Sequence, residues 1–266
     1  MKSKEELETL VKEVMAIAKL AGHYIRAERE QFSYSKVEIK GLNDLVSHVD
    51  KESERMVVTE LNRLLKGSGF LVEENTASEK GEYTWIVDPL DGTTNFVHGI
   101  PCYAVSIGLE HKGEIILGVV YEVSRDECFS AVASGGAFLN GKPIFVSERK
   151  SLSESLIATG FPIYNFEHLD NYLMVLKELM QTTQGIRRIG SAASDLCYLA
   201  CGRVDAFFEY NLNPWDVAAG ALIVREAGGI VKDFNNGNKW LFGKQICAGN
   251  PLLFSEFSSL INKHFT

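Results

Sequence analysis

Residues 84–147 constrain the fold most, because short β-like runs follow one another there with little chain between them. TWIVD, CYAVSIGLEH, EIILGVVYEV and ECFSAV are rich in Val, Ile, Tyr and Phe, side chains that suit a pleated, half-buried surface. His111-Lys112-Gly113 reads as a hairpin turn between the second and third runs. Strands joined so tightly pair antiparallel, since parallel neighbours need a long crossover.

The flanks have a different texture. Leu7, Leu10, Val11, Val14, Ala18 and Ala21 recur at helical spacing and predict an amphipathic helix over about 4–30. A second helix is predicted at about 48–66, ending at Gly67-Ser68-Gly69, and the polar stretch 31–48 before it suits a hairpin or flap. Beyond Ser151 strands (LIATG, GIRRIG, VDAFFEY, GGIVKDF, ICAGN) alternate with helices near 166–182, 192–202, 214–227 and from Pro251. The change near 150 divides the chain into an N-terminal α+β lobe, 1–150, with the antiparallel sheet, and a C-terminal α/β lobe, 151–266. One active site shared between them is expected.

The 266 residues include 45% hydrophobic side chains, enough for a sizeable core. A net charge of −8 argues against nucleic acid or an anionic membrane as partner. An anionic substrate then requires a local source of positive charge, and bound cations are the obvious one. The cysteines Cys102, Cys128, Cys197, Cys201 and Cys247 form no CxxC pair and no zinc spacing, so they read as reduced, mostly buried thiols. MKSKEELETLVKEV is charged and amphipathic rather than a secretory core, and no run reaches membrane-spanning length. A cytoplasmic location is the expectation.

The acidic positions carry the chemistry. Asp88 ends a predicted strand, and Pro89, lacking an N–H, is expected to stop its ladder. Asp91 precedes a short helical pattern from Thr93, with Gly92 allowing close backbone approach. Two carboxylates beside free helix amides can hold divalent cations and, with those amides, a phosphate. The plainer reading is an Asp-Pro turn with Asp91 as N-cap. Glu73-Glu74 follow the apolar Leu71-Val72, as a delivered pair of ligands or a solvated acidic loop. Asp216 in Asn213-Pro214-Trp215-Asp216 and Asp50 in Ser47-His48-Val49-Asp50 both fit ordinary helix starts, which also aim a carboxylate into any cleft the helix faces. Hard oxygen donors without a Cys/His cluster favour Mg²⁺, Mn²⁺ or Ca²⁺, and no calcium-loop motif is present.

WIVDPLDGTTNFVHG (85–99), the Glu73-Glu74 pair and PWDVAAGALIVREAGG (214–229) together resemble the inositol monophosphatases. KGLNDLVSHVD (40–50), GSAASDLCYLACGRVDAFFE (190–209) and CAGN extend the resemblance over nearly the whole chain. DPLDGT alone would indicate only the wider superfamily, with fructose-1,6-bisphosphatases and phosphoadenosine-phosphate phosphatases. The continuation Thr-Thr-Asn-Phe looks more like the inositol monophosphatase branch.

The resemblance implies an αβαβα layered sandwich, a homodimer, and Mg²⁺-dependent, Li⁺-sensitive hydrolysis of a small phosphate monoester. Two to three ions per site are implied, with Mn²⁺ as a substitute. Glu73, Asp88 and the Leu90 carbonyl would hold one ion. Asp88, Asp91 and Asp216 would hold a second, and Glu73 with water a third. The Gly92 and Thr93 amides, with Thr94 beside them, would hold phosphate. Thr93, paired with Asp50, would orient and deprotonate water, and Glu73 joins them in the catalytic set. Ser191, Ala192, Glu209 and Asp216 would contact the substrate, Glu209 having a surface strand-end acid as its plainer reading, and Lys40 would sit on the flap. Val72 stands where the family usually has Gly and Asn75 where it has Ser, while Tyr210–Pro214 matches nothing familiar. Inositol monophosphate is the substrate that the resemblance implies. Fructose 1,6-bisphosphate or a nucleotide bisphosphate is the alternative, and a non-catalytic metal- and phosphate-binding protein the remote one.

Overall fold

The N-terminal periodicity becomes α1 (Lys4–Glu30), which buries Leu7, Leu10, Val14, Ala18, Ala21 and Ile25 along one stripe. Its start is a capping box: the Glu6 N–H donates to Ser3 Oγ, and the Ser3 N–H to the Glu6 carboxylate. The computed structural model describes residues 2–32, 37–41, 44–75, 77, 81–162 and 165–265, with 37–41 and 44–47 as backbone only. The expected hairpin is present as antiparallel β1 (Val37–Gly41) and β2 (Asp44–Ser47). Leu42 and Asn43 fall outside the described residues, as does the side chain of Lys40. The second helix, α2, is His48–Leu64.

A seven-stranded sheet follows, built from β3 (Gly69–Val72), β4 (Tyr83–Asp91), β5 (Ala104–His111), β6 (Glu114–Glu122), β7 (Glu127–Val132), β8 (Gly136–Leu139) and β9 (Lys142–Pro143), in that order. The short helix α3 (Thr93–His98) leaves it between β4 and β5. All neighbours pair antiparallel as expected except β3, which runs parallel to β4. That pairing brings Glu73, just past the end of β3, beside the Asp88 end of β4: the Glu73 N–H donates to the Val87 carbonyl.

The remainder alternates as expected: β10 (Leu156–Thr159), α4 (Leu169–Thr182), β11 (Gly185–Arg187), α5 (Ala192–Ala200), β12 (Ala206–Tyr210), α6 (Pro214–Glu226), β13 (Ile230–Lys232), β14 (Gln245–Gly249) and α7 (Phe254–Phe265). Their strands form a mixed five-stranded sheet in the order β11-β10-β12-β14-β13. The last helix begins three residues beyond the expected Pro251, since Pro251–Leu253 form a turn.

Both faces of the seven-stranded and five-stranded sheets are covered by helices, which gives the layered αβαβα sandwich. α1 and α2 pack on the outer face of the seven-stranded sheet, α5 and α6 lie between the sheets, and α4 and α7 cover the five-stranded sheet. β4 shows the consequence: Trp85 and Val87 enter one core while Ile86 enters the other, so its apolar run is continuous.

Candidate metal and phosphate site

The expectation that Pro89 ends its strand needs correction. Pairing of β4 with β5 breaks after Asp88↔Ser106 and resumes at Asp91↔Ala104, so three steps on β4 oppose two on β5. The extra residue makes a bulge that takes the donor-less Pro89 out of the ladder instead of stopping it. In a regular strand residues three apart face opposite sides. Here one inserted residue turns both Asp88 and Asp91 toward the same point. The bulge is secured by Ser53 Oγ, which donates to the Pro89 carbonyl at 3.1 Å, and by the Leu90 N–H, which donates to Asp88 Oδ1 at 2.9 Å.

Asp216 completes the cluster from α6. Carboxylate oxygens of Asp88, Asp91 and Asp216 all lie within 4.8 Å of one another. Asp216 does play its helix-start role, accepting the Asn213 N–H at 2.7 Å on Oδ2. Asp91 does not cap α3: the N-cap there is Gly92, at φ +90°, where a Cβ would lie 3.0 Å from the Gly190 carbonyl oxygen. Its Oδ2 instead accepts from Ser191 Oγ at 2.6 Å and the Ala193 N–H at 2.8 Å, at the opening of α5. Ser191, expected at the substrate, thus spends its hydroxyl on Asp91.

Burial raises the pKa of all four acids. Asp91 is pushed up to about 6 by burial, and Asp216 to about 7 by burial and the Asp91 charge. Glu73, by burial and Asp216, and Asp88, by burial and Glu73, are held well above the carboxylate range and lie close enough to share a proton. Four carboxyl groups without a paired cation are costly to ionise together. Divalent cations would relieve that cost, and an all-oxygen donor set suits Mg²⁺ or Mn²⁺. The residues present therefore fit the ions that the sequence implies.

Thr93 Oγ1 donates to Asp50 Oδ1 at 2.8 Å and lies 3.0 Å from the Leu90 carbonyl. Asp50 is thus engaged across the site; the side chain of its expected capping partner Ser47 lies outside the described residues. The first turn of α3 leaves N–H groups at Thr93 and Thr94 without intrahelical acceptors. Asn95 fixes that turn: its buried Nδ2 donates to the Cys102 and Ile189 carbonyls at 2.8 and 2.9 Å.

One pocket gathers these groups. It is lined by Glu73, Asp88, Leu90, Asp91, Gly92, Thr93, Thr94 and Asp216, and by Ser191, Ala192 and Glu209. The unmatched stretch 210–213 lines it too. Sequence reasoning missed Arg188, Phe161 and Asp195, which share this pocket. Arg188 is the one cationic lining side chain among the described residues, and its guanidinium sits 5.5 Å from the centre of the Phe161 ring. The Arg187-Arg188 pair, one residue before Gly190-Ser191, was the available signal.

Comparisons with known proteins agree along the full chain. The model of the "Inositol monophosphatase family" matches residues 6–265. The chain is 42% identical over 256 residues to the inositol-1-monophosphatase of Mesorhizobium japonicum, covering 96% of each. It is equally 42% identical, over 253 residues and 93% of each chain, to a protein of Pseudomonas aeruginosa named Nus factor SuhB. Among solved structures, the extragenic suppressor protein SuhB of Bartonella henselae superposes with a TM-score of 0.89 at 42% identity, covering 95% of this chain and 98% of that one.

Proposed function

This chain belongs to the inositol monophosphatase family, and from that premise we propose that it is a Mg²⁺-dependent phosphatase that hydrolyses inositol monophosphate. The observation that carries the reading is the three-aspartate cluster beside the opening of α3. Glu73, Asp88 and the Leu90 carbonyl would hold one ion, and Asp88, Asp91 and Asp216 a second; Glu73 would be the protein ligand of a weaker third. Bound there, Mg²⁺ supplies charge that offsets the phosphate dianion and the leaving alkoxide and acidifies water.

The chain's own groups do the rest. The Gly92, Thr93 and Thr94 N–H groups receive phosphate oxygens. Thr93 Oγ1, its proton directed to Asp50, presents a lone pair toward water and orients it for in-line attack; the proton released passes through the hydroxyl to Asp50. Ser191 and Ala193 fix Asp91, so that its geometry is set before substrate arrives. Glu209, on the wall that receives the alcohol, accepts a hydroxyl of the leaving group together with the Ala192 backbone. Lys40, in β1, belongs to the same reading as the basic residue of the flap. The homodimer, the cytoplasmic location, Li⁺ sensitivity and the division into lobes near residue 150 belong to this same proposal. Among the described residues no helix is long and apolar enough to cross a membrane.

A second reading comes from relatives named Nus factor SuhB: the chain also serves as a factor of that kind, with the phosphatase site intact. A phosphate-release panel separates the catalytic alternatives. With Mg²⁺, inositol 1-phosphate is expected to outpace fructose 1,6-bisphosphate and phosphoadenosine phosphate. A clear preference for either bisphosphate overturns the substrate assignment. Release from none of them favours the second reading alone.

A further inference from the structure

Asp195 lines the pocket from α5, the helix whose first residues hold Asp91. Its side chain is buried, with the residue 1% exposed, and Oδ1 has no hydrogen-bond partner. The neighbouring acids are occupied: Asp88 accepts the Leu90 N–H, Asp91 takes Ser191 and Ala193, and Asp216 takes the Asn213 N–H. Arg188, the pocket's cation, rests on Phe161; its charge reaches Asp195 and lowers that acid's pKa, but it does not hydrogen-bond Oδ1. A carboxyl oxygen kept buried in a pocket wall without a partner costs stability unless something entering the pocket completes it.

The neighbours define what would complete it. Glu209 lines the same pocket; burial first, then the Glu209 and Asp91 charges, raise the Asp195 pKa well above its ordinary value, against the Arg188 charge, which lowers it. Held as the neutral acid, Asp195 offers one O–H donor and one acceptor, the complement of an alcohol group. Burial raises the Glu209 pKa as well, and a hydroxyl, which both donates and accepts, meets partners at either acid. Resting on the phosphatase reading above, we infer that Asp195 is a substrate-recognition residue which, together with Glu209, takes hydroxyls of a polyol leaving group. It thereby selects polyhydroxylated phosphate esters over esters of simple alcohols.

The test uses the Mg²⁺-loaded full chain with two substrates, inositol 1-phosphate and the hydroxyl-free p-nitrophenyl phosphate. Asp195→Ala is expected to raise KM for inositol 1-phosphate about tenfold or more, with kcat and the p-nitrophenyl reaction little changed. Asp195→Asn, which keeps a donor and an acceptor, is expected to restore most of the loss. A parallel fall on both substrates, or no change on inositol 1-phosphate, overturns the assignment. Should Asp195→Ala fail to fold, singly deoxygenated inositol 1-phosphates read the same contact. One missing hydroxyl then costs the wild type about tenfold and costs the isosteric Asp195→Leu, which has neither donor nor acceptor, little; equal costs in both overturn it. Wild type that hydrolyses p-nitrophenyl phosphate but not inositol 1-phosphate overturns the substrate reading, and this inference with it, while leaving the phosphatase chemistry standing.

Discussion

At the scale of single residues, the site is a set of acids that burial holds partly protonated. Asp91 at about 6 and Asp216 at about 7 both lie above their ordinary value near 4. The folded, metal-free chain therefore binds more protons than the unfolded one between those values. That contribution to stability is full below pH 4 or so and is lost as pH rises through 6 to 7. Melting curves without Mg²⁺ should show a lower Tm at pH 8 than at pH 5.5. Because ions displace those protons, the Tm gain on adding Mg²⁺ should grow over the same interval. A Mg²⁺ effect that is flat with pH would contradict the site assignment. Thr93→Ala, which removes the hydroxyl linked to Asp50, should lower kcat by about 10²-fold or more, with Thr93→Ser recovering much of it in a phosphate-release assay. These residues were legible because DPLDGTTNF carries them in one run. Arg188 offered only the Arg187-Arg188 pair as a signal and Asp195 none, since each becomes a pocket residue only through the fold.

At the scale of elements, the β4 bulge decides whether two aspartates make a site or face opposite layers. The sequence announces the punctuation, Pro89, but not its outcome, because an extra residue and a strand end look alike until the partner β5 is known. The same holds for the parallel pairing of β3, a long-range choice that no local pattern encodes. Asn95 shows how neighbouring elements are tied: one buried amide serves carbonyls before β5 and before α5. Asn95→Ala should lower stability by about 1–3 kcal/mol, by leaving those carbonyls unsatisfied and loosening the phosphate-facing turn. Denaturant melts with an accompanying rise in KM would show it, and an unchanged KM would detach the turn from substrate binding.

At the scale of the molecule, α6 must lie hard against the seven-stranded sheet for Asp216 to reach Asp88 and Asp91. The close approach uses small residues: a Cβ at Gly118 would stand 2.7 Å from the Ala219 carbonyl oxygen, and one at Gly108 3.1 Å from Ala218 Cβ. Gly118→Val should thus displace α6, cost about 1–3 kcal/mol or more and weaken Mg²⁺ binding measured by calorimetry; unaltered affinity would contradict the coupling of core to site. The alternation of strands and helices was readable along the chain. The helix layer between two sheets came only with the family resemblance, because the small apolar residues of α5 and α6 by themselves fit any buried helix. The most direct measurement of the central claim is phosphate release from inositol 1-phosphate by wild type and Asp88→Asn, each with Mg²⁺ and with a chelator. Mg²⁺-dependent release by wild type, reduced about 10³-fold or more in Asp88→Asn, is predicted. Release that persists in the chelator, or in the variant, would contradict it.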